Sequence, residues 1–458
     1  MTLDPEALDQ LATLLQRHDP ALSVTEVTQL SGGASRQTFD IRTAGGAGQY
    51  VLQRELSEEP RFPGGMADEG ALVAAARNAG VPTPVVVATN RDGGPAIGPS
   101  FLVTEAVPGE TIARKLLRDD RYVGARAALP GQLGRALAAL HTSLDPAAVP
   151  WLEATDQLAR YREVADELDL VSPAFELAFR WLVANQPPAE QVTVVHGDFR
   201  LGNLIVDDAG LAAVIDWELG HLGDPMEDLG WLCVRAWRFG GPGVVAGIGD
   251  LPPFLAAYEA AAGRPVDRAA VRWWQTLGTL KWGIMCGTQA DRHLSGLVPS
   301  VELVSIGPRV AEQEYDVLRL IASDTCAAVH PDPLSLVGDP GGTGAAEGGG
   351  RPSPVDLIAA VGDFVRDDVG AATEGRTRFH ARVAANALAI VARDLAAAPV
   401  LASRRAARLA GLGFDSERAL AAAIRSGTLD RRTAEVTAVV YESVLDRLAV
   451  NNPGWIED

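Results

Sequence analysis

The chain has 458 residues, of which 47% are hydrophobic and 22% charged, and its formal net charge is −19. This length exceeds what a single hydrophobic core supports, so we expect about two to four folding units. The composition is typical of a globular protein, and the acidic charge excludes a general nucleic-acid binder, because phosphate contacts need clustered Lys and Arg.

The amino terminus and the cysteines indicate the compartment. The segment MTLDPEALDQLATLLQRHDP is acidic and has helical periodicity, so it is not a signal peptide, and we expect no apolar stretch that spans a bilayer. The cysteines, Cys233, Cys286 and Cys326, are odd in number and widely separated. This pattern favours buried thiols over a disulfide framework or a zinc site. We therefore expect a cytoplasmic protein with no membrane segment.

In chain order, strand candidates and one helix come first, and helical patterns follow. Residues 1–110 mix turn-rich, strand-like segments with a single helix, whereas residues 111–330 are mostly helical with strands near the motifs. The pattern predicts an α+β fold with a small amino-terminal lobe and a larger helical lobe.

The last part of the chain reads as a linker followed by helices. Residues 331–354 are rich in Gly and Pro and poor in apolar residues, which predicts a flexible linker. In residues 355–458, apolar positions recur at helical spacing in two groups: Ala384, Ala387, Leu388, Val391 and Leu395, and Val436, Val440, Val444 and Leu448. We expect a small, separate all-helical domain here.

The most informative segment begins at Val194 and reads VVHGDFRLGNLIVDDAGLAAVIDWELGHLGDP. Two short apolar strands flank the turn at Asp207–Gly210, and pairing them brings Asn203 and Asp216 together at their outer ends. An amide oxygen beside a carboxylate suits Mg²⁺, which keeps several waters and binds substrate phosphates. Asp198, in the preceding loop, is placed to accept the proton of an incoming hydroxyl.

The motifs HGDFRLGN, IDWE and GDPMEDL, in this order, resemble the aminoglycoside phosphotransferase and choline kinase superfamily. In particular, residues from Leu30 to Cys326 are similar to the kinase-like domains associated with acyl-CoA dehydrogenases. The resemblance implies a bilobal protein-kinase-like fold, ATP or GTP as co-substrate, Mg²⁺ held by Asn203 and Asp216, and Asp198 as catalytic base. It also implies that Asp228 braces the catalytic loop.

The resemblance further assigns a phosphate-covering loop near the start of the domain. Gly32 and Gly33 lie between two strand-like segments, where a backbone without Cβ approaches phosphates closely. By resemblance, Ser35 and Arg36 lie near these phosphates. Arg36 stands where an Asn is often found in the family.

The basic residue of the small lobe departs from the kinase pattern. The chain has two lysines, Lys115 and Lys281, and neither lies in this lobe. Gln53 aligns with the position that is usually basic, so we expect Arg54, or failing it Arg36, to contact the phosphates and to pair with Glu69.

The segment FLVTEAVPGE resembles the hinge between kinase lobes. There the resemblance places Glu105 and Val107, with the intervening Ala106, where main-chain groups bind an adenine edge. This hinge would carry the base of the nucleotide.

The residues do not identify the acceptor. The resemblance implies a hydroxylated acyl-CoA, and the alternatives are an aminoglycoside-type antibiotic and a catalytically silent, kinase-like binding module. Intact Asp198, Asn203 and Asp216 argue against the silent module. Tryptophans in the larger lobe either line an apolar acceptor site or belong to the core, namely Trp231, Trp237, Trp273, Trp274 and Trp282.

The helical region from Phe379 resembles a small domain of unknown function that follows such kinases in bacterial proteins. We expect it to bind a protein partner or to mediate self-association.

Overall fold

The computed structural model describes residues 3–32, 36–45, 48–55, 62–188, 191–330 and 352–456. The strands are β1 (Ser23–Gly32), β2 (Arg36–Ala44), β3 (Gln49–Glu55), β4 (Val86–Thr89), β5 (Phe101–Glu105), β6 (Thr193–Val195), β7 (Leu204–Asp207), β8 (Gly210–Val214) and β9 (His221–Gly223). The helices up to the linker are α1 (Pro5–His18), α2 (Met66–Asn78), α3 (Ala113–Arg118), α4 (Val123–Ser143), α5 (Gln157–Glu167), α6 (Pro173–Ala184), α7 (Met226–Leu232), α8 (Leu251–Ala262), α9 (Arg268–Leu294), α10 (Val301–Ile306), α11 (Val310–Ile321) and α12 (Ser323–Ala327). After the linker come α13 (Pro354–Asp363), α14 (Gly370–Ala372), α15 (Gly375–Leu412), α16 (Glu417–Arg425) and α17 (Thr433–Asn451).

The amino-terminal part forms an antiparallel five-stranded sheet in the order β1-β2-β3-β5-β4. One face of the sheet packs on α1, whose amino end is capped by Asp4 through its bond to Ala7 N. Leu11 of α1 is buried there together with Phe39, Ile41, Leu52 and Phe101 of the sheet. Because strand side chains alternate between faces, the neighbouring positions point to the other side of the sheet, where α2 contacts β4 and β5. The mixed sheet-and-helix character predicted for this region is confirmed.

Two short antiparallel pairs carry the motif region. The pair β7–β8 aligns Leu204 with Val214, and the pair β6–β9 aligns Val195 with His221. Leu204, Val206 and Val214 are fully buried in a core shared with α4 and α7. The hairpin predicted from the turn at Asp207–Gly210 is therefore present.

The chain divides into two compact units that are not contiguous in sequence. Unit 1 comprises Met1–Asp156 and Pro187–Gln275, and unit 2 comprises Gln157–Gln186 and Thr276–Asp458. This grouping differs from the four consecutive segments expected from the sequence, because α5, α6 and α10–α12 are grouped with the helices that follow the linker. Residues 331–351 of the expected linker lie outside the described residues.

The reason for this grouping is a shared core in unit 2. Val436, Val440, Val444 and Leu448 of α17 are buried, as their spacing predicts, and they cluster with side chains of α6 and α11. Ion pairs surround the apolar contacts: Arg425 binds Glu176 at 2.7 Å and Arg447 binds Glu314 at 2.7 Å. A stripe of valines finds its partner in earlier helices, which the helical period alone does not reveal.

The other apolar stripe of the carboxyl-terminal region is only partly covered, and Ala384, Ala387 and Leu388 are half-buried. On α15, Val391 and Leu395 are each 44% exposed. The segment Gly375–Arg425 is long and apolar enough to cross a membrane by length and composition, and 11% of its most apolar window is buried. The expectation that no stretch has this character was wrong, because the alanines of α15 raise its hydropathy. Partner binding through this region stays a prediction, as does the cytoplasmic location.

The cysteines agree with the expectation of separate thiols. Cys233, Cys286 and Cys326 are all free and buried. Burial raises the pKa of the Cys233 thiol to about 12, so this group is an unreactive core residue.

Candidate active site

The loop between β6 and β7 is held in place by one buried carboxylate, that of Asp228. Asp228 accepts hydrogen bonds from the backbone N–H groups of His196 (2.8 Å) and Gly197 (2.9 Å), and it also contacts His141 Nε2 at 3.2 Å. Burial alone would raise the pKa of Asp228, but the contacts with His141 and His196 bring it below its ordinary value. Asp228 thus braces the loop as an ionised group.

Gly197 makes the tight turn of this loop possible. Its φ angle is 76°, and a Cβ at this position would lie 2.4 Å from the carbonyl oxygen of Leu219. The next residue, Asp198, donates its backbone N–H to Nδ1 of His196, whose Nε2 lies 3.1 Å from the carbonyl oxygen of Ile215. Burial lowers the pKa of His196, so the ring is neutral and holds the loop against the hairpin.

The Asp198 carboxylate is held by three side-chain donors. Its Oδ1 accepts from Trp231 Nε1 at 2.9 Å, and its Oδ2 accepts from Asn203 Nδ2 at 2.6 Å. The Nε of Arg200 lies 3.1 Å from Oδ1 and 3.0 Å from Oδ2. The side chain is only 12% exposed. This carboxylate is fixed in one orientation, which is what a general base for an oriented hydroxyl requires.

Asn203 and Asp216 come together as the hairpin predicts. The backbone N–H of Ile215 donates to the carbonyl oxygen of Asn203 at 3.0 Å, which places the next residue, Asp216, beside Asn203. Asp216 has a φ angle of 66°, a left-handed conformation that is uncommon outside glycine and concentrated at functional sites. Asn203 uses its amide N–H to hold Asp198, and its Oδ1 accepts no hydrogen bond from the described residues.

These oxygens fit a magnesium ion. An amide oxygen and a carboxylate oxygen are hard ligands, and Mg²⁺ takes few protein ligands because phosphates and waters complete its shell. Within the described residues, no group of three or more His, Cys, Asp or Glu side chains forms a metal cage. The donor set therefore suits a metal that arrives with its nucleotide.

Negative charge is concentrated around one arginine next to this position. Arg36 binds Glu69 at 2.6 Å and Glu55 at 3.4 Å, and it lies 3.5 Å from Glu218 and 3.8 Å from Asp216. Burial raises the pKa of Asp216 to about 7, and the nearby Glu218 and Glu69 add to the rise. Four carboxylates share one guanidinium, so the site attracts a further cation.

The pairing expected between Arg54 and Glu69 was wrong. Arg54 instead donates to the side chain of Gln37 at 2.8 Å and to the carbonyl oxygen of Ile97 at 2.9 Å. The sheet register explains this, because Arg54 is paired with Gln37 whereas Arg36 is paired with Glu55 on the opposite face. Glu69, on α2, faces Arg36.

Two of the three main-chain N–H groups of the hinge segment donate to other backbone groups. The N–H of Glu105 donates to the carbonyl oxygen of Val85 at 2.9 Å, and the N–H of Ala106 donates to that of Gln49 at 2.8 Å. The N–H of Val107 makes no hydrogen bond with the described residues. Of the three hinge N–H groups, Val107 alone keeps a donor for a nucleotide base.

The predicted phosphate loop is described only at its edges. Gly32 is the last residue of β1 and Arg36 the first of β2, with a pairing of Gly32 to Gln37. Gly33 and Ser35 lie outside the described residues.

Several residues of the site have no role predicted from the sequence. Arg200 and Glu218 belong to the motifs HGDFRLGN and IDWE, yet no role was assigned to them. Trp231 was placed either in the core or at an acceptor site, and it proves to be a buried core residue that also contacts Asp198. The signal for Arg200 and Glu218 was their position two residues beyond Asp198 and Asp216, where a long side chain can fold back.

Known proteins resemble this chain in two regions. Residues 26–274 match the phosphotransferase enzyme family (APH), and residues 371–455 match a domain of unknown function (DUF6285). Acyl-CoA dehydrogenase family member 10 of Mus musculus is 32% identical over 250 residues, which are 51% of this chain and 22% of the mouse protein. Acyl-CoA dehydrogenase family member 11 of Rattus norvegicus is 28% identical over 254 residues, which are 48% of this chain and 30% of the rat protein. The match thus spans less than a third of either relative.

Among solved structures, a Ralstonia eutropha protein provisionally named an aminoglycoside phosphotransferase has the same fold. The TM-score is 0.54 at 23% identity, and the match covers 67% of this chain and 95% of that protein. This likeness confirms the kinase-like fold predicted from the motifs.

Proposed function

The chain belongs to the phosphotransferase enzyme family, and from this premise we propose that it transfers the γ-phosphoryl group of ATP to the hydroxyl of a hydroxylated acyl-CoA. Membership of the family makes it a small-molecule kinase with a hydroxyl acceptor and a nucleotide co-substrate. The proposal adds the acceptor, the preference for ATP and the roles of the residues.

The observation that carries the proposal is the meeting of Asp198, Asn203 and Asp216 in one loop and hairpin. Asn203 donates to the Asp198 carboxylate and lies beside Asp216 through the backbone bond to Ile215. A base and two metal ligands at this spacing are the parts that phosphoryl transfer needs. A silent binding module would have no use for all three.

In the proposed reaction, the acceptor hydroxyl donates a hydrogen bond to Asp198. The acceptor oxygen forms a bond to the γ-phosphorus while the bond from that phosphorus to the bridging oxygen of ADP breaks. The hydroxyl proton passes to the Asp198 carboxylate and then to solvent. Trp231 and Arg200 keep this carboxylate aimed at the hydroxyl.

On the nucleotide side, Arg36 is the residue that we assign to the phosphates. Its guanidinium is ion-paired with Glu69, just as the basic residue of a kinase small lobe is ion-paired with a glutamate on the following helix. An arginine can also donate two parallel hydrogen bonds to two phosphate oxygens. Asn203 and Asp216 would hold Mg²⁺, which would neutralise charge on the transferred phosphoryl group. The Val107 N–H would contact the adenine edge.

The acyl-CoA acceptor draws its support from the relatives. The mouse and rat proteins are named acyl-CoA dehydrogenase family members, and each matches about half of this chain. The similarity to an aminoglycoside phosphotransferase is a similarity of fold at 23% identity, and it gives the antibiotic alternative no comparable support.

A direct test combines a phosphate-transfer assay with calorimetry. ATP and Mg²⁺ are incubated with hydroxyacyl-CoAs whose hydroxyl lies at successive carbons, and phosphorylated product is detected by mass spectrometry. Turnover of aminoglycosides instead would replace the acceptor assignment. The metal ligands are checked separately: Asn203→Ala and Asp216→Ala should weaken nucleotide binding with Mg²⁺ but leave binding in EDTA unchanged. Variants whose metal dependence equals that of wild type would refute the assignment.

A further inference from the structure

The side of Asp198 away from the acidic cluster is built from arginine and tryptophan. Arg200 holds the carboxylate through Nε, and its guanidinium lies 5.0 Å from the ring centre of Trp237. Trp237 packs on Trp231 with ring centres 5.2 Å apart. The turn Arg235–Arg238, which carries Trp237, contacts the turn Leu201–Asn203.

The two terminal nitrogens of Arg200 have no hydrogen-bond partner in the part of the chain that the structure describes. Within the described residues, Nη1 and Nη2 make no hydrogen bond, and the bonds of this side chain run through Nε alone. The side chain is 25% exposed, so part of the guanidinium is open to solvent. A Cβ at Gly202 would lie 2.5 Å from Nη1, so the absence of a side chain there leaves room for the guanidinium.

The open edge of this half-buried guanidinium, formed by Nη1 and Nη2, can donate hydrogen bonds to an oxygen of the acceptor. We call this edge the fork. Arginine donates two parallel N–H groups to carboxylate or carbonyl oxygens, and the stacked tryptophan limits its movement. An oxygen bound at the open edge would lie roughly 6–7 Å from the Asp198 carboxylate oxygens, given usual hydrogen-bond lengths. That distance suits a hydroxyl and a carbonyl separated by a few bonds.

We propose that Arg200 is a specificity-determining residue: while Nε holds Asp198, Nη1 and Nη2 bind the carbonyl or carboxylate oxygen of the acceptor, near the hydroxyl that is phosphorylated. This rests on the proposed kinase function and narrows its acceptor to hydroxyacyl compounds. The fixed positive charge next to the base also disfavours a cationic acceptor, since like charges at this range repel.

The test compares acceptors that differ in one group. The panel contains a hydroxyacyl-CoA, the matching free hydroxycarboxylate, an alkanediol of equal length without a carbonyl, and an aminoglycoside. Arg200→Gln and Arg200→Lys are assayed with wild type. Arg121→Gln is the matched control, because Arg121 is an exposed arginine whose partner, Asp208, lies in the turn between β7 and β8.

We expect Arg200→Gln to raise KM for the carbonyl-bearing acceptors about 10- to 100-fold, the loss typical of a hydrogen bond to a charged group. KM for the alkanediol and for ATP should stay within about twofold, while kcat falls with every acceptor because the brace on Asp198 is also lost. For the carbonyl-bearing acceptors, Arg200→Lys should give a KM between those of wild type and Arg200→Gln. Arg121→Gln should behave as wild type. Equal KM changes for carbonyl-bearing and carbonyl-free acceptors, or no change at all, would overturn the proposal.

The same panel separates this inference from the proposed function. One outcome is that the enzyme turns over the hydroxycarboxylate but not the CoA ester, with a KM that rises in Arg200→Gln. This result would overturn the acyl-CoA assignment and support the fork. Turnover of the aminoglycoside alone would overturn both. If no acceptor turns over, the proposed function fails, and thermal shift by the hydroxycarboxylate with ADP decides the fork. A rise in Tm for wild type but not for Arg200→Gln supports it, and an equal or absent rise refutes it.

Discussion

The two sides of Asp198 have opposite charge and different partners. Toward β2 and α2, the carboxylates of Glu55, Glu69, Asp216 and Glu218 surround the single guanidinium of Arg36. On the other side, Arg200 lies between Asp198 and the ring of Trp237. An acidic cluster attracts a metal cation with its nucleotide, whereas an arginine–tryptophan pair attracts a flat or anionic organic group.

This contrast shows why the net charge of −19 does not identify the acceptor. The charge that matters is local, because an ion pair in a half-buried site is screened less than a charge on the surface. Substitutions that each remove one element of this contrast should have graded effects, the largest at Asp198, the residue between the two sides.

Asp198→Asn should lower kcat about a thousandfold, within the range expected when a general base is lost. The amide keeps the size of the side chain, so Kd for ADP should remain near the wild-type value. Single-turnover phosphate transfer and calorimetry measure the two quantities. Near-normal turnover would show that the hydroxyl does not need this base.

Removing the cation of the acidic side should have the next largest effect. Arg36→Gln should lower turnover by about two orders of magnitude, as when one fixed donor to a transition state is lost. Arg54→Gln is the matched control in the same sheet and should change turnover by less than about threefold, because Arg54 is occupied by Gln37 and Ile97.

Steady-state kinetics with saturating acceptor distinguishes the two arginines. A large loss in Arg54→Gln with little change in Arg36→Gln would contradict the ion-pair geometry. Arg36→Lys should recover only part of the loss, since a point charge cannot replace a two-pronged contact.

On the aromatic side, Trp231→Phe should have a smaller effect. The ring still fills the core, but the hydrogen bond from Nε1 to Asp198 is lost. We expect kcat to fall about tenfold with little change in KM for ATP, since one hydrogen bond to a charged group is removed. Thermal unfolding measured in parallel serves as the control. A fall in Tm without a fall in kcat would mean that Trp231 only packs.

The smallest expected effect concerns the stability of the acidic side without a cation. The pKa of Asp216 is raised from its ordinary 3.8 to about 7, so ionisation favours the unfolded chain and stability falls as pH rises through this window. In EDTA, Asp216→Asn should therefore raise Tm by about 2–4 °C at pH 8 and have little effect near pH 4. The side chain is 34% exposed, which limits the gain. An equal shift at both pH values would contradict this electrostatic origin.

Much of the site could be predicted from the sequence because the decisive residues are close together in the chain. Asp198, Asn203 and Asp216 lie in one loop and one hairpin, and a turn signal with flanking apolar strands is enough to bring them together. The stripe of Val436, Val440, Val444 and Leu448 likewise predicted a buried helix face, because helical period and burial are local properties.

What only the tertiary structure decided was pairing over long range. Whether Arg36 or Arg54 meets Glu69 depends on strand register and on the face that α2 covers, and a shift of one residue exchanges the two faces of a strand. The grouping of α17 with α6 and α11 depends on which apolar stripes match in shape. The hydrogen bond from Trp231 to Asp198 depends on a core that brings α7 next to the loop. Local patterns specify elements, but contacts between distant elements are selected by packing, and packing is a property of the whole unit.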